Sequence, residues 1–119
     1  LFVVKEINRV KLACDALDTG NIELLGQLMF ETHEGLSLDY QVSCAELDFL
    51  VHTVKEDKSV IGSRLMGGGF AGCTIHLINK GQEEAVKNKL LKLYQDEFGI
   101  ELKIYDVKIG NGTSLYIAK

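Results

Sequence analysis

Proline is absent from these 119 residues, and so is tryptophan. With no proline ring to stop a helix, the breaks between elements fall to glycine and to short polar clusters. No apolar run approaches the ~20 residues that cross a bilayer, so no spanning helix is expected and no membrane partner follows. Positive charge is scarce. Thirteen Lys and Arg stand against 17 Asp and Glu, for a net charge of −4, and no basic patch stands out, which argues against nucleic acid. The opening Leu1-Phe2-Val3-Val4-Lys5-Glu6 lacks the basic region of a secretory signal. It also lacks an initiator Met, and the expectation is a chain cut from within a longer one. Cysteines number three, Cys14, Cys44 and Cys73, with no C-x-x-C or C-x-x-H spacing. That leaves no zinc or disulfide framework and fits reduced thiols of the cytoplasm, buried as small hydrophobes. Linkers, internal repeats and low-complexity segments are missing too.

What remains is an ordinary globular composition, 46% hydrophobic and 25% charged, enough for one domain with a single core. Its most informative stretch is Gly62-Ser63-Arg64-Leu65-Met66-Gly67-Gly68-Gly69-Phe70-Ala71-Gly72-Cys73-Thr74. Three glycines in a row are costly to order, so a folded domain keeps them for a geometric need. Gly67, Gly69 and Gly72 spell G-x-G-x-x-G, but a dinucleotide site needs a helix to follow. Here Cys73-Thr74-Ile75-His76-Leu77-Ile78 reads as a strand. Gly67 and Gly72 have the spacing of a Walker A loop, yet Cys73-Thr74 replaces its Lys-[ST]. A plain strand–turn–strand hairpin and a hairpin whose backbone N–H groups cradle an anion both fit.

The rest divides into a helical front and a mixed back. Val3, Ile7, Val10, Cys14 and Leu17 recur at helical spacing through Asp18, predicting a buried stripe, and Thr19-Gly20 stops the helix. Asn21 caps a second helix with Ile22, Leu25, Leu28, Met29 and Thr32 on one face. Gly35 to Gln41 reads as a loop, and Ser43-Cys44-Ala45-Glu46 as a capping box opening a third helix lined by Leu47, Leu50, Val51 and Val54. Strands are predicted at Val60–Met66 and Gly72–Asn79. A fourth helix from Gly81 buries Ala85, Val86, Leu90, Leu93, Tyr94 and Phe98 and ends at Gly99. Strands at Ile100–Ile109 and Ser114–Ala118 follow, around a Gly110-Asn111-Gly112 turn. The predicted fold is therefore α+β: a ferredoxin-like antiparallel four-stranded sheet covered by helices, with N-terminal helices preceding a β-β-α-β-β unit.

Other chemistry-bearing residues are scattered. His33 reads as a surface or capping residue, His52 and His76 as structural. Glu6 and Arg9 are spaced to pair on the first helix. Asp39 and Tyr40 fall in a loop. Arg64 either aims at an anion or pairs with an acid. No set of residues makes a complete catalyst: phosphoryl transfer needs a phosphate cradle, metal ligands and a group orienting the nucleophile, and at most the cradle is here.

Two stretches nevertheless carry a family resemblance. Gly26-Gln27-Leu28-Met29 through Ser43-Cys44-Ala45-Glu46-Leu47-Asp48 resembles the G-x-L-M-x-x-S-H-x-S-L-x-x-D-Y-x-V-S-C-P-E-L-D run of galactokinases. Gly62 through Thr74 resembles their third motif, G-S-R-M-T-G-G-G-F-G-G-C-T. Glu6-x-x-Arg9 is similar to the family's helix ahead of these. Thr32, Gly35, Ala45, Leu65-Met66 and Ala71 depart from the pattern. Galactokinases belong to the galactokinase–homoserine kinase–mevalonate kinase–phosphomevalonate kinase superfamily, and the resemblance covers residues 1–119 as its C-terminal domain. It implies a sugar 1-kinase that moves the γ-phosphate of ATP, with Mg²⁺, to the anomeric hydroxyl of galactose. The catalytic residues would lie in the N-terminal half of the same polypeptide, so this piece alone is expected to bind neither cofactor and to be inactive. The site residues it implies are Gly67, Gly68, Gly69, Phe70, Ala71 and Gly72, lining a cleft and supporting the phosphate loop, with Ser63 and Arg64 beside them. His33, Asp39 and Tyr40 would take a structural or interdomain role. An N-acetylgalactosamine kinase, a non-enzymatic sugar sensor and a free-standing ferredoxin-like binding module are the alternatives.

Overall fold

The computed structural model describes residues 1–115. Its elements run α1 (Phe2–Asp18), α2 (Ile22–Glu34), one π-helical turn (Gly35–Asp39), α3 (Ala45–Val54), β1 (Val60–Met66), β2 (Cys73–Ile78) and α4 (Glu83–Phe98). The α+β class and the first six predicted elements are present. Asn21 caps α2 as expected, its side chain accepting the Leu24 N–H at 3.2 Å. Gly99, in the left-handed region at φ 65°, ends α4.

β1 and β2 form an antiparallel hairpin that pairs Met66 with Cys73 and Ser63 with His76. α2 lies across β1, α1 packs on α2, and α3 bridges the hairpin to α4. One core joins Leu50, Val54, Val60, Val86, Leu90 and Tyr94, with Phe30, Phe49, Phe98 and Leu102 packed against it. Each such side chain contributes about 1.5–3 kcal/mol by leaving water.

The α2–β1 crossing depends on two glycines meeting backbone to backbone. A Cβ on Gly26 would sit 1.9 Å from the Ile61 carbonyl oxygen, and one on Gly62 would sit 2.5 Å from the Gly26 Cα. A side chain at either position would push the helix off the strand.

Four expectations need correction. Among the described residues the sheet has two strands rather than four. Ile100–Ile109 alternates in polarity, but residues 101–115 carry no strand, and Ile109 and Leu115 are exposed. Alternation makes a segment compatible with a sheet edge; it does not supply the edge. The last predicted strand, Ser114–Ala118, falls largely outside the described residues. Next, the stripe Val3, Ile7, Val10, Cys14 and Leu17 faces outward, its apolar members 54–60% exposed. Phe2, Glu6, Arg9, Ala13 and Ala16 face α2 instead. The ion pair Arg9–Glu6 (2.8 Å) and the bond from the Thr32 hydroxyl to Glu6 (2.8 Å) turn the helix that way. Third, the loop at Gly35 is a helical continuation. Gly35 fits beneath Phe2, where a Cβ would be 2.5 Å from the ring, and Phe2 stacks on Tyr40 with centroids 5.4 Å apart. Last, Ala85 and Leu93 on α4, and Cys14 and Cys73, are exposed rather than buried.

Between the strands, the His76 ring shares hydrogen bonds with Ser63 Oγ (2.9 Å) and Thr74 Oγ1 (2.8 Å). Burial pushes its pKa down from 6.5 to about 4.

Two predictions follow from this packing. Gly26→Ala should cost about 3 kcal/mol or more in a denaturant melt, because backbone rather than a flexible side chain receives the new carbon. Gly68→Ala, with open space around it and φ outside the left-handed region, should change stability by less than about 0.5 kcal/mol. As to pH, the unfolded chain takes a proton on His76 near pH 6.5, whereas the folded chain refuses it until about pH 4. Stability should therefore be full above pH 6.5 and fall progressively as pH drops toward 4, by on the order of 2–3 kcal/mol. Urea melts of wild type and His76→Gln at pH 7.5 and 4.5 check this; the variant should show the shallower loss.

Candidate functional site

Six residues, Gly67 to Gly72, join the paired ends of β1 and β2. Gly67, Gly69 and Gly72 have φ of 81°, 83° and 107°, and Phe70, not a glycine, has 63°. Left-handed backbone at Phe70 is strained and needs outside support. The support is Val42: the Phe70 N–H donates to the Val42 carbonyl. Gly69 permits that approach, since a Cβ there would lie 2.2 Å from the same oxygen. The other side is open. Around Gly67, Gly68 and Gly72 no atom lies within 4 Å of where a Cβ would be, and the Phe70 ring is 69% exposed. The Ala71 N–H is already engaged, donating to the Gly69 carbonyl at 2.7 Å. Phe70 and Ala71 thus keep no backbone donor for a ligand, and clearance is greatest at Gly67, Gly68 and Gly72.

Val42 is in place because the chain leaves the π turn through Gln41, itself left-handed at φ 58°, and the Val42 N–H donates to Leu36 O at 2.9 Å. Beneath it lies a part-buried polar hub. His33 is fully buried, not a surface residue, and its Nδ1 accepts the Leu65 N–H at 3.0 Å. That bond fixes the ring proton on Nε2, which donates to Asp48 Oδ1 at 2.8 Å. Asp48 also accepts Ser43 Oγ–H (2.7 Å) and Ser37 Oγ–H (2.9 Å). Burial disfavours charge on Asp48, but the bonds from Ser43, Ser37 and His33 outweigh it and hold the carboxyl below its usual range. For His33 burial wins over the Asp48 contacts and lowers its pKa, keeping the imidazole neutral and Nδ1 an acceptor.

The hub corrects the capping box. Cys44 is the N-cap of α3 with no side-chain bond, and the Ser43 hydroxyl has gone to Asp48 instead. Ser63 is fully buried against His76 and does not face the loop. Arg64 forms no ion pair among the described residues; its Nε donates to the Leu65 carbonyl at 2.9 Å. Asp39 and Tyr40 lie near α1, Tyr40 stacked on Phe2. His52 pairs with Glu34 at 2.8 Å at the surface. An open groove lies elsewhere, between Arg9, Gln27, Glu31, Asp39, Lys55 and Ile61, and none of Gly67 to Gly72 lines it. Sequence reasoning missed the roles of Asp48, Ser43 and Val42, because they depend on contacts distant in sequence: His33 is 15 residues from Asp48, and Phe70 lies on the far side of β1 from Val42. Among the described residues no three His, Cys, Asp or Glu side chains gather as metal ligands.

Comparison with known proteins agrees with the two motifs. Residues 13–96 match the family described as GHMP kinases C terminal. A galactokinase of Thermotoga neapolitana is 41% identical over 110 residues, covering 92% of this chain and 31% of that protein. A galactokinase of Limosilactobacillus reuteri is 37% identical over 109 residues, covering 92% of this chain and 28% of its own length. The crystal structure of Lactococcus lactis galactokinase complexed with galactose superposes with a TM-score of 0.75 at 34% identity, over 79% of this chain and 24% of that one. The chain thus spans under a third of the length of these relatives. With a match across most of its residues, and with the glycine hairpin and its supporting hub both inside that match, the chain belongs to the GHMP kinase C-terminal family.

Proposed function

We propose that this chain is the C-terminal part of a galactokinase, an ATP-dependent kinase of the cytoplasm that phosphorylates the anomeric hydroxyl of galactose. The observation that carries the reading is a glycine hairpin braced from behind at Val42 and bare in front. ATP supplies the phosphoryl group, and Mg²⁺ neutralises its developing charge. The chain's own contribution is positional. Gly67, Gly68 and Gly72 let another backbone come within van der Waals distance, as a phosphate-holding loop from the N-terminal half would require. Phe70 offers that half an exposed apolar contact. Acid–base groups and metal ligands are assigned to the N-terminal half, and no three potential metal ligands gather among the described residues. Alone, the chain is inactive.

The outward stripe of α1 supports the same division. A contiguous row of Val3, Ile7, Val10 and Leu17 in water is unfavourable and marks a covered surface. The rest of the polypeptide is its proposed cover.

Full-length protein should turn over galactose with ATP and Mg²⁺. Phosphorylation of N-acetylgalactosamine in preference to galactose would change the substrate, and transfer to neither sugar would overturn the reading. In the same assay Gly68→Val should lower kcat/KM at least tenfold while leaving the melting temperature of the isolated chain within about 2 °C. Equal loss of both would make the hairpin a structural turn only.

Val10→Lys gives a second check. The isolated chain should self-associate less, by sedimentation, with its stability changed by under about 0.5 kcal/mol. The full-length protein should lose about 1–3 kcal/mol, because there the ammonium is buried. An unaffected full-length protein would mean that this face stays in solvent.

A further inference from the structure

We infer that His33, Asp48 and Ser43 are positioning residues for the nucleotide site, acting as a clamp that holds the glycine hairpin through Leu65 and Val42. The inference rests on the proposed role of the hairpin and goes further by naming what holds its shape.

The observation is a closed circuit. At one end, the Leu65 N–H, two residues ahead of Gly67, donates to His33 Nδ1 at 3.0 Å. His33 Nε2–H passes the hold to Asp48 Oδ1 at 2.8 Å. The same oxygen accepts the Ser43 hydroxyl at 2.7 Å. Ser43 is bonded covalently to Val42, whose carbonyl takes the Phe70 N–H. The hairpin is therefore held before the glycines and again after Gly69, and both holds converge on one carboxylate. Ser37 adds a third donor to Asp48 at 2.9 Å and ties the π turn, from which Val42 emerges, to the same point.

None of the three side chains touches the open face of the hairpin. His33 is fully buried, and every buried side-chain nitrogen and oxygen among the described residues has a partner. Their polarity is therefore not explained by a ligand of their own. It is explained by what the hairpin lacks: glycines have no side chains with which to pack themselves, and left unbraced they sample many conformations. A loop that must meet a nucleotide-holding backbone works better when its ordering cost is met before binding. A half-buried carboxylate with several donors is suited to this, because charge-assisted bonds are short and directional.

The test uses the full-length protein with four variants. Ser43→Ala removes the hold on Val42, and Ser43→Thr retains a hydroxyl. His33→Gln keeps a donor for Asp48 but loses the acceptor for Leu65; His33→Asn does the reverse. Amide hydrogen exchange across residues 65–72 is read without nucleotide, and steady-state kinetics are read alongside. Ser43→Ala and His33→Gln should speed exchange at Phe70 and Leu65 respectively, by about three- to tenfold for one hydrogen bond lost. The KM for ATP should rise by a similar factor with kcat and the sugar KM near wild type, and Ser43→Thr should restore both. Unchanged exchange in folded variants overturns the clamp. Faster exchange with an unchanged KM for ATP overturns the positioning role while leaving the clamp as architecture. A wild-type enzyme that transfers no phosphate to sugar overturns the proposed function, and the positioning role with it, while the exchange arm still reads the clamp by itself.

Discussion

A neutral imidazole between a backbone amide and a carboxylate is the contact on which the rest of this structure turns. His33 can serve both partners only as the Nε2–H tautomer, and burial keeps it in that state. With the proton on Nδ1 instead, the Leu65 N–H would lose its acceptor in the interior, where an unsatisfied group is expensive, and Asp48 would lose one of its three donors. The contact spans α2, α3 and β1; beside it, α2 and α3 also meet at the surface through Glu34 and His52 at 2.8 Å. It fixes how far β1 can slide against the helices, and so where the hairpin begins.

A second constraint works beside it. Gly26 and Gly62 let α2 and β1 meet backbone to backbone, and this brings His33, two turns along α2, level with Leu65, three residues along β1. Neither glycine acts through its own flexibility. Each acts by absence of volume, and the hub exists because that volume is missing. The chemistry proposed for the hairpin follows the same logic: bare residues in front, a braced carbonyl behind, and charge brought by another part of the polypeptide.

Some of this was legible in the chain alone. Helix and strand positions follow from apolar periodicity and from glycine and asparagine at element ends, all of which act within a few residues. The outward stripe of α1 shows the limit. Val3, Ile7, Val10 and Leu17 have the spacing of a buried face, yet the side turned inward is Phe2, Glu6, Arg9, Ala13 and Ala16. Periodicity identifies a face suited to burial and is silent on which body covers it. The predicted strand at Ile100–Ile109 fails in the same manner, since pairing is a property of two segments and not of one.

From the sequence by itself came the hairpin, its glycines, the kinase resemblance and the expectation that the chemistry needs a further part. Local backbone preference and motif spacing carry that information without any knowledge of contacts. Only the tertiary structure decided that His33 is interior, that Ser43 serves Asp48 rather than capping its helix, and that Gly69 rather than Gly68 is the close approach to Val42. The reason is physical: a hydrogen bond between residues 15 or 32 apart depends on where helices cross, and that crossing is set by packing, which no single segment encodes.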